Sequence, residues 1–386
     1  MDLPRPPSTI SIPDYLSPSS LGTETPCRLR VIASTAENRE LFTWLPAPPL
    51  ARLGLIVHEG IALALSGELS DASEVSDWLD SRLDAPTPSE RYECLRSAIA
   101  KRRIELARSL LTGKATSRPS RSVDRPPLPG QGEPRMRITG LEVVLKSKAL
   151  RIQGRADLIR RGEDGALEIV DFKTGDVTGR DGEVRRAYAL QIQAYALMVR
   201  EREPETPIRL FLDNGSETAV PADPQSLAVA RDSILNIAAR LPARASVSAD
   251  SLAEPGPECA GCSIRPSCPS YLAEAPSWWH DIPATIGFAP PDTWGEVKTI
   301  ETAEGETSTL GIVDAAGRSV RIRDIDSAHG FHDSSVGTRA HLFSLVPDVV
   351  RRGFSGERPH PRLFHELAAA DAASERAWSA CVFRDG

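Results

Sequence analysis

The sequence predicts an α/β protein in which a mixed sheet is flanked by helices, followed by a small β-rich domain at the C-terminal end. Residues 137–175 contain three apolar, partly alternating runs separated by turn residues, a pattern typical of three consecutive strands in an antiparallel meander. A helix over 185–203, a strand that begins at Ile208 and a helix over 225–241 are predicted to follow. Strands and helices in this order are typical of a sheet with helices on its faces.

The C-terminal part has the pattern of a small β domain. Four short strand-like segments lie between residues 295 and 346, each bounded by turn residues, and a helix is predicted over 362–380. Short strands at this spacing indicate a small barrel, which we expect to be OB-like. Its face for gripping a single strand would contain Trp294, Lys298, Arg321, Arg323 and Phe343. A structural or partner-docking β domain is the equal alternative. We expect the domains to span residues 1–275 and 276–386.

The N-terminal part predicts two helices and a linker. Residues 53–69 have helix-forming composition and contain a single histidine, His58. A second helix is expected over 91–111, and it carries Cys94. Residues 114–134 are rich in Pro, Ser and Arg and show no periodicity, so they predict a linker.

Composition and charge indicate a globular protein of the cytoplasm. The chain has 46 Lys and Arg against 53 Asp and Glu, and its net charge of −7 argues weakly against binding nucleic acid. The basic segment 96–137 is either a solvated helix with a flexible linker or a stretch that contacts nucleic acid. No apolar run reaches the roughly 18 residues of a membrane helix. The N-terminus has neither the basic start nor the apolar core of a secretory signal.

Two aspartates and a lysine are candidates for a metal-dependent active site. Asp171 and Lys173 stand two apart in EIVDFKTG, so in a strand they point to the same face. Asp157, in GRADLI, lies close by if its strand pairs with theirs. Converging carboxylates suit Mg²⁺ or Mn²⁺, and a lysine beside them can orient an attacking water or stabilise developing charge. Taken alone, these residues also fit a surface hairpin with ordinary alternating charges.

In their context, these residues resemble the PD-(D/E)xK nucleases of the RecB branch, which includes the RecB and AddB nuclease domains and the CRISPR-associated RecB-like exonucleases. Gly154–Asp157 match the G-x-x-D strand of that family, and Asp171–Lys173 match its D-x-K. Gln191 and Tyr195 match a downstream Q-x-x-x-Y helix, and Gly54–His58 match an upstream G-x-x-x-H helix.

The resemblance implies a restriction-endonuclease-like α/β fold and a role for each matching residue. The implied ligands of Mg²⁺ or Mn²⁺ are His58, Asp157, Asp171 and the carbonyl of Phe172. The implied catalytic residues are Asp157, Asp171, the catalytic lysine Lys173, and Gln191 and Tyr195 near the scissile strand.

Three of the six cysteines have the spacing C-x₂-C-x₅-C, at Cys259, Cys262 and Cys268. Six cysteines are too few for a disulfide scaffold, and clustered cysteines in a cytosolic protein are more often metal ligands. Three thiolates leave a metal centre incomplete. The candidates for the fourth ligand are Cys27, Cys94 and Cys381.

The iron–sulfur members of the RecB branch carry their fourth cysteine near the N-terminus, after a segment like LSPSSLxTxxxCP. Residues 16–27, LSPSSLGTETPC, resemble that opening, although here the proline precedes the cysteine. The resemblance therefore implies a [4Fe–4S] cluster, with Zn²⁺ as the alternative occupant. The implied cluster ligands are Cys27, Cys259, Cys262 and Cys268.

The resemblance, which includes exonucleases, implies a metal-dependent DNA nuclease acting on single strands or DNA ends, and it leaves exonuclease and endonuclease action both open. The sequence has no G-x-x-x-x-G-K-[ST] motif, so any helicase that assists it would be a separate polypeptide. The alternative from another class is a DNA-binding or scaffold subunit of a DNA-processing or defence complex, which keeps the nuclease fold without cleaving.

Overall fold

The structure of the chain is a computed structural model that describes the following residues. They are 7, 9–22, 27–35, 37–42, 44–45, 49–84, 99, 101–116, 138–179, 181–242, 246–256, 259, 262–278, 292–302, 307–326, 331, 335–343, 345–347, 366–369 and 381–384.

Helices and strands are numbered in chain order. The helices are α1 (Arg28–Ala33), α2 (Pro49–Ser66), α3 (Ala72–Asp84), α4 (Lys101–Thr116), α5 (Arg186–Arg200), α6 (Pro224–Ala239) and α7 (Pro269–Trp278). The strands of the first two sheets are β1 (Ile10–Ser11), β2 (Gly140–Ser147), β3 (Ile152–Arg161), β4 (Leu167–Phe172), β5 (Ile208–Asp213), β6 (Glu217–Val220) and β7 (Ser246–Val247). The remaining strands are β8 (Thr293–Thr302), β9 (Thr307–Asp314), β10 (Ser319–Asp326), β11 (Arg339–Phe343), β12 (Leu345–Pro347), β13 (Glu366–Ala369) and β14 (Cys381–Arg384).

The central sheet has five strands in the order β2-β3-β4-β5-β6. β2, β3 and β4 form the predicted antiparallel meander. β5 lies parallel to β4, and because parallel neighbours need a crossover connection, α5 links the two. The sequence-based prediction of a mixed sheet flanked by helices is confirmed.

Each face of the central sheet has its own apolar core. On one face, α5 contributes Ile192 and Met198, which pack with Ile169 of β4. On the other, α2, α3 and α4 pack around Val57 and Leu111. The apolar spacing of α2 and α5 therefore turns both helices toward the sheet and fixes the depth of any polar side chain on them.

The C-terminal sheet has seven strands in the order β12-β13-β10-β9-β8-β11-β14. Its neighbouring strands are antiparallel except β10 and β13, which are parallel. The four strand-like segments of the sequence all lie in this sheet. Its own core includes Leu310, Ile322 and Leu342.

Several sequence-based predictions are wrong or incomplete. The expected C-terminal helix is contradicted at Glu366–Ala369, which is strand β13, because pairing with β10 and β12 overrides local helix-forming composition. Helix α4 begins at Lys101 and continues to Thr116, into the expected linker. Helix α3 and strand β6 were not predicted. Cys94 lies outside the described residues.

The expected stacking face on the C-terminal sheet is also wrong. Trp294 is 4% exposed and Phe343 is fully buried. Trp294 stacks on His341 at a centroid distance of 5.6 Å and contacts Tyr271 edge-on. Both aromatic side chains are therefore core residues and cannot stack on nucleotide bases.

Among the described helices, none combines the length and the hydropathy needed to cross a membrane.

Candidate active site and cysteine site

The two aspartates lie on neighbouring strands of the central sheet. Leu158 of β3 pairs with Val170 of β4, so Asp157 and Asp171 come one residue beyond a paired position. The carboxylate of Asp157 reaches across the gap and accepts a hydrogen bond at Oδ2 from the Phe172 backbone N–H, at 2.8 Å. This contact holds Asp157 against the backbone that carries Asp171.

Lys173 lies in a polar cluster just beyond the end of β4. Its Nζ is 2.6 Å from Asp171 Oδ2 and donates to Gln191 Oε1 at 3.0 Å. Gln191 Nε2 in turn donates to Asp171 Oδ1 at 3.1 Å. The ammonium group also lies 4.7 Å from the centroid of the Tyr188 ring, a distance typical of a cation–π contact. These contacts hold Asp171 and Lys173 against α5.

His58 approaches the same aspartates from α2, on the opposite face of the sheet. Its Nδ1 lies 3.4 Å from Asp157 Oδ2, and its ring meets Phe172 edge-on at 6.5 Å between centroids. Burial works to lower the pKa of His58, but the hydrogen bond and charge of Asp157 outweigh it, so the pKa is raised. Gly54, one turn earlier, lets α2 come close, because a Cβ there would lie 3.3 Å from Thr174 Oγ1.

The Gln191–Tyr195 pair lies on the face of α5 that covers the site. Tyr195 is 4% exposed, and burial followed by the charges of Asp171 and Asp157 raises its pKa. Its ring also explains the glycine of the G-x-x-D strand. A Cβ on Gly154 would lie 2.6 Å from Pro18 Cδ and 3.1 Å from Tyr195 Cε1, so a larger residue at 154 would push both away.

Asp171 is the most perturbed carboxylate of this centre. The side chain is 3% exposed, and burial raises its pKa to about 6, against the opposing charge of Lys173 and with the added repulsion of Asp157. A buried carboxylate that is ionised at neutral pH requires a compensating cation. In this arrangement Lys173 is the cation that faces it.

Two residues beside the site escaped the sequence analysis. Lys114, in the last turn of α4, forms an ion pair with Asp213 at the end of β5, and its Nζ lies 5.4 Å from the centroid of Phe172. The carbonyl of Asp213 accepts a hydrogen bond from the backbone N–H of Lys173 at 2.9 Å. The Lys114–Asp213 pair therefore lies beside the backbone of Lys173 and helps to hold the D-x-K segment in place. The strand IRLFLDN gave a signal for Asp213, whereas Lys114 fell in the expected linker.

The side chains suit a divalent cation chemically, although they are not yet arranged around one. Within the described part of the chain, no three His, Cys, Asp or Glu side chains are already positioned to hold a metal ion. The donors are nevertheless the right types, since two carboxylates and an imidazole meet beside a backbone carbonyl. Asp171 Oδ2 has the Lys173 ammonium as its partner at 2.6 Å, so a cation would reach this buried oxygen by taking the place of Lys173.

The four candidate cluster cysteines come together at a second place. Cys27, Cys259, Cys262 and Cys268 line one small cavity, together with Arg30 and Arg265. All four are free thiols. Burial raises the pKa of Cys259 to about 11 and that of Cys268 to about 12. Such buried thiols are inert as nucleophiles and ionise only when a cation stabilises them.

The N-terminal segment reaches this cavity through backbone pairing and an ion pair. β1 pairs antiparallel with β7, just before the three-cysteine segment. The Leu16 N–H donates to the Arg151 carbonyl at 2.8 Å, and the Gln153 N–H of β3 donates to the Leu16 carbonyl at 2.9 Å. Arg28 then forms an ion pair with Glu254 at 3.2 Å. These contacts bring Cys27, at the start of α1, beside residues far along the chain.

The central sheet is an antiparallel meander followed by a parallel fourth strand, and it carries a D-x-K motif beside a second aspartate. This combination is typical of a class of metal-dependent nucleases. The family model of the PD-(D/E)XK nuclease superfamily matches residues 15–269. The chain therefore belongs to the PD-(D/E)XK nuclease superfamily, whose members are generally phosphodiester hydrolases that use Mg²⁺ or Mn²⁺. Among the curated proteins, none matches the chain closely.

Proposed function

We propose that the protein is a metal-dependent DNA nuclease of the RecB- and AddB-like branch of its superfamily. The observation that carries the proposal is the hydrogen-bonded set of Asp171, Lys173 and Gln191, beside Asp157 and His58. Each of these side chains matches a catalytic motif of that branch, and together they come from four segments of the chain, with Asp171 and Lys173 in the same segment. An ordinary surface hairpin would not need a buried aspartate, a partly buried lysine and a helix packed over both.

In this proposal His58, Asp157, Asp171 and the Phe172 carbonyl hold a divalent cation. When bound, such a cation would supply a positive charge that polarises a phosphoryl oxygen and makes a water molecule more acidic. Lys173 is 14% exposed and also donates to Gln191, a contact that would keep its positive charge beside the scissile phosphate when a cation replaces it at Asp171. It orients the attacking water and stabilises the charge that develops as the bond from phosphorus to the leaving oxygen breaks.

The substrate that we propose is single-stranded DNA or a DNA end. The support for it is the resemblance to exonucleases of the RecB branch, and a helicase in a separate polypeptide would supply such strands from duplex DNA. The test is cleavage of end-labelled linear single strands, circular single strands and duplexes, with Mn²⁺, with Mg²⁺ and with EDTA. We expect metal-dependent loss of the linear single strand and little cleavage of the circle.

The other outcomes of that assay are equally decisive. Cleavage of circles as fast as linear strands would replace the exonuclease by an endonuclease. Binding to DNA without cleavage at any metal concentration would contradict the nuclease proposal and favour the non-cleaving scaffold subunit.

We also propose that Cys27, Cys259, Cys262 and Cys268 bind a [4Fe–4S] cluster that stabilises the nuclease domain, residues 1–275, in the reducing cytoplasm. The support is their common cavity and the resemblance to the iron–sulfur members of the branch. Arg30, which lines the same cavity, would offset part of the negative charge of four thiolates and a cluster. The β-rich residues 276–386 would form a second domain.

The cluster proposal predicts a brown protein after anaerobic purification, with iron and acid-labile sulfide each about four per chain. Cys27→Ser should lose the iron and lower the thermal midpoint, because metal binding and folding are linked. The matched control is Cys381→Ser, which should keep both, since that residue lies in β14 of the other sheet. Colourless protein with one zinc per chain would contradict the iron–sulfur proposal and leave the nuclease proposal in place.

A further inference from the structure

A third acidic residue lies in the same row of the central sheet as the two aspartates. Leu141 of β2 pairs with Leu158 of β3, and Val143 pairs with Ala156. Glu142 therefore stands opposite Asp157 across the β2–β3 ladder, as Asp171 stands beside it across β3–β4.

The backbone of β2 turns at Glu142. Its φ is 54°, in the left-handed region that side chains other than glycine rarely adopt. The two neighbours pack on different faces of the sheet as a result, because Leu141 belongs to the core under α2 and Val143 to the core under α5. A regular strand would have put both on one face, so the turn redirects the side chain between them.

The charge of Glu142 acts on the groups of the active centre. Burial raises its pKa first, and the negative charge of Asp157 raises it further, while Arg155 and His58 oppose the shift. The negative charge of Glu142 also contributes to the raised pKa of Tyr195. Glu142 therefore adds negative potential where a divalent cation is proposed to bind.

The ordinary explanation for Glu142 is its ion pair with Arg155, and that explanation is weak. The two groups are 3.4 Å apart, and their side chains are 37% and 62% exposed. Exposed pairs of this kind contribute about 0–1 kcal/mol. Such a contact does not account for a carboxylate held opposite Asp157 by left-handed backbone.

We infer that Glu142 is a further acidic residue of the active centre, which strengthens the binding of the divalent cation. The inference rests on the proposed function, because it presupposes a cation beside Asp157. Glu142 is a positioning residue. Its negative charge adds to the electrostatic field at the cation, and it acts on the side chains that face the cation.

The test is the affinity of the full chain for Mn²⁺, measured by titration calorimetry without DNA. Glu142→Gln should weaken Mn²⁺ binding by about tenfold, the usual lower limit for a residue that supports metal ligands, and Glu142→Asp should recover part of the loss. The matched control is Glu217→Gln. Glu217 lies on the other edge strand, is 34% exposed, and pairs with Arg160 at 2.9 Å, so its variant should bind within about twofold of the parent.

Two results would overturn the inference, and they differ in what else they overturn. If Asp171→Asn loses Mn²⁺ binding while Glu142→Gln binds as the parent does, Glu142 has no part in the centre and the proposed function stands. If the parent itself binds no Mn²⁺, the proposed function falls, and the inference with it.

Discussion

Asp171→Asn should abolish metal-dependent DNA cleavage, a loss of at least about 10³-fold. The amide keeps the shape of the side chain and its contact with Gln191, but it removes the charge that would hold the cation. A carboxyl whose pKa rises on folding destabilises the fold once it is ionised. Its pKa moves from 3.8 to about 6, so this cost is present above pH about 6 and disappears as the pH falls toward 4.

The stability of Asp171→Asn therefore separates a catalytic role from a structural one. At neutral pH its free energy of unfolding should not fall by more than about 1 kcal/mol, because the buried charge has gone while Lys173 keeps Gln191 and the Tyr188 ring. The measurement is urea unfolding beside the cleavage assay. Asp164→Asn is the matched control, since Asp164 lies in the β3–β4 turn and is 53% exposed. Unchanged cleavage by Asp171→Asn would remove the aspartate from the active site.

Much of the central sheet could be predicted because its signals are local. The apolar runs of β2, β3 and β4 are separated by turns, and the amphipathic helix α5 follows directly. Helix α3 is dominated by polar residues, with Val75, Leu79 and Leu83 as its buried stripe, so its apolar signal is weak. Strand β13 could not be predicted, because its parallel pairing with β10 is a long-range interaction.

The candidate site was found through motif order, which carries information that single residues lack. His58 on α2 has no local sign of function, and only its position before the two aspartate motifs marked it. Glu142 and Lys114 carry no such mark. The placement of Glu142 depends on its own left-handed backbone conformation within β2. The placement of Lys114 depends on the packing of α4 against the end of β5. Both depend on tertiary structure.

A buried ion pair joins the cysteine segment to the C-terminal sheet. Arg265 lies between Cys262 and Cys268, and its guanidinium donates to both carboxylate oxygens of Asp292, at 2.5 and 3.0 Å. Asp292 immediately precedes β8, and Tyr271 O–H donates to it at 2.7 Å. The Arg265 and Asp292 side chains are 6% and 0% exposed. Burial acts to lower the pKa of the guanidinium, but the charge of Asp292 and its hydrogen bonds outweigh this and raise the pKa, so the group stays charged.

Asp292→Asn should destabilise the protein by about 3 kcal/mol, since it leaves a buried guanidinium facing a neutral group. The second variant, Arg265→Met with Asp292→Asn, should recover at least half of this loss, because it removes the uncompensated charge as well. Urea unfolding measures the free energy of unfolding of both variants.

The matched control is Glu301→Gln, which breaks the pair with Arg321 on the same sheet. Those side chains are 64% and 48% exposed, so the loss of stability in this variant should stay below about 1 kcal/mol. Equal losses for Asp292→Asn and Glu301→Gln would mean that the Arg265–Asp292 pair does not hold the cysteine segment to the sheet. Because Arg265 Nη1 also donates to the Cys262 carbonyl at 2.9 Å, the proposed iron–sulfur cluster should lose iron to a chelator faster in Asp292→Asn than in the parent.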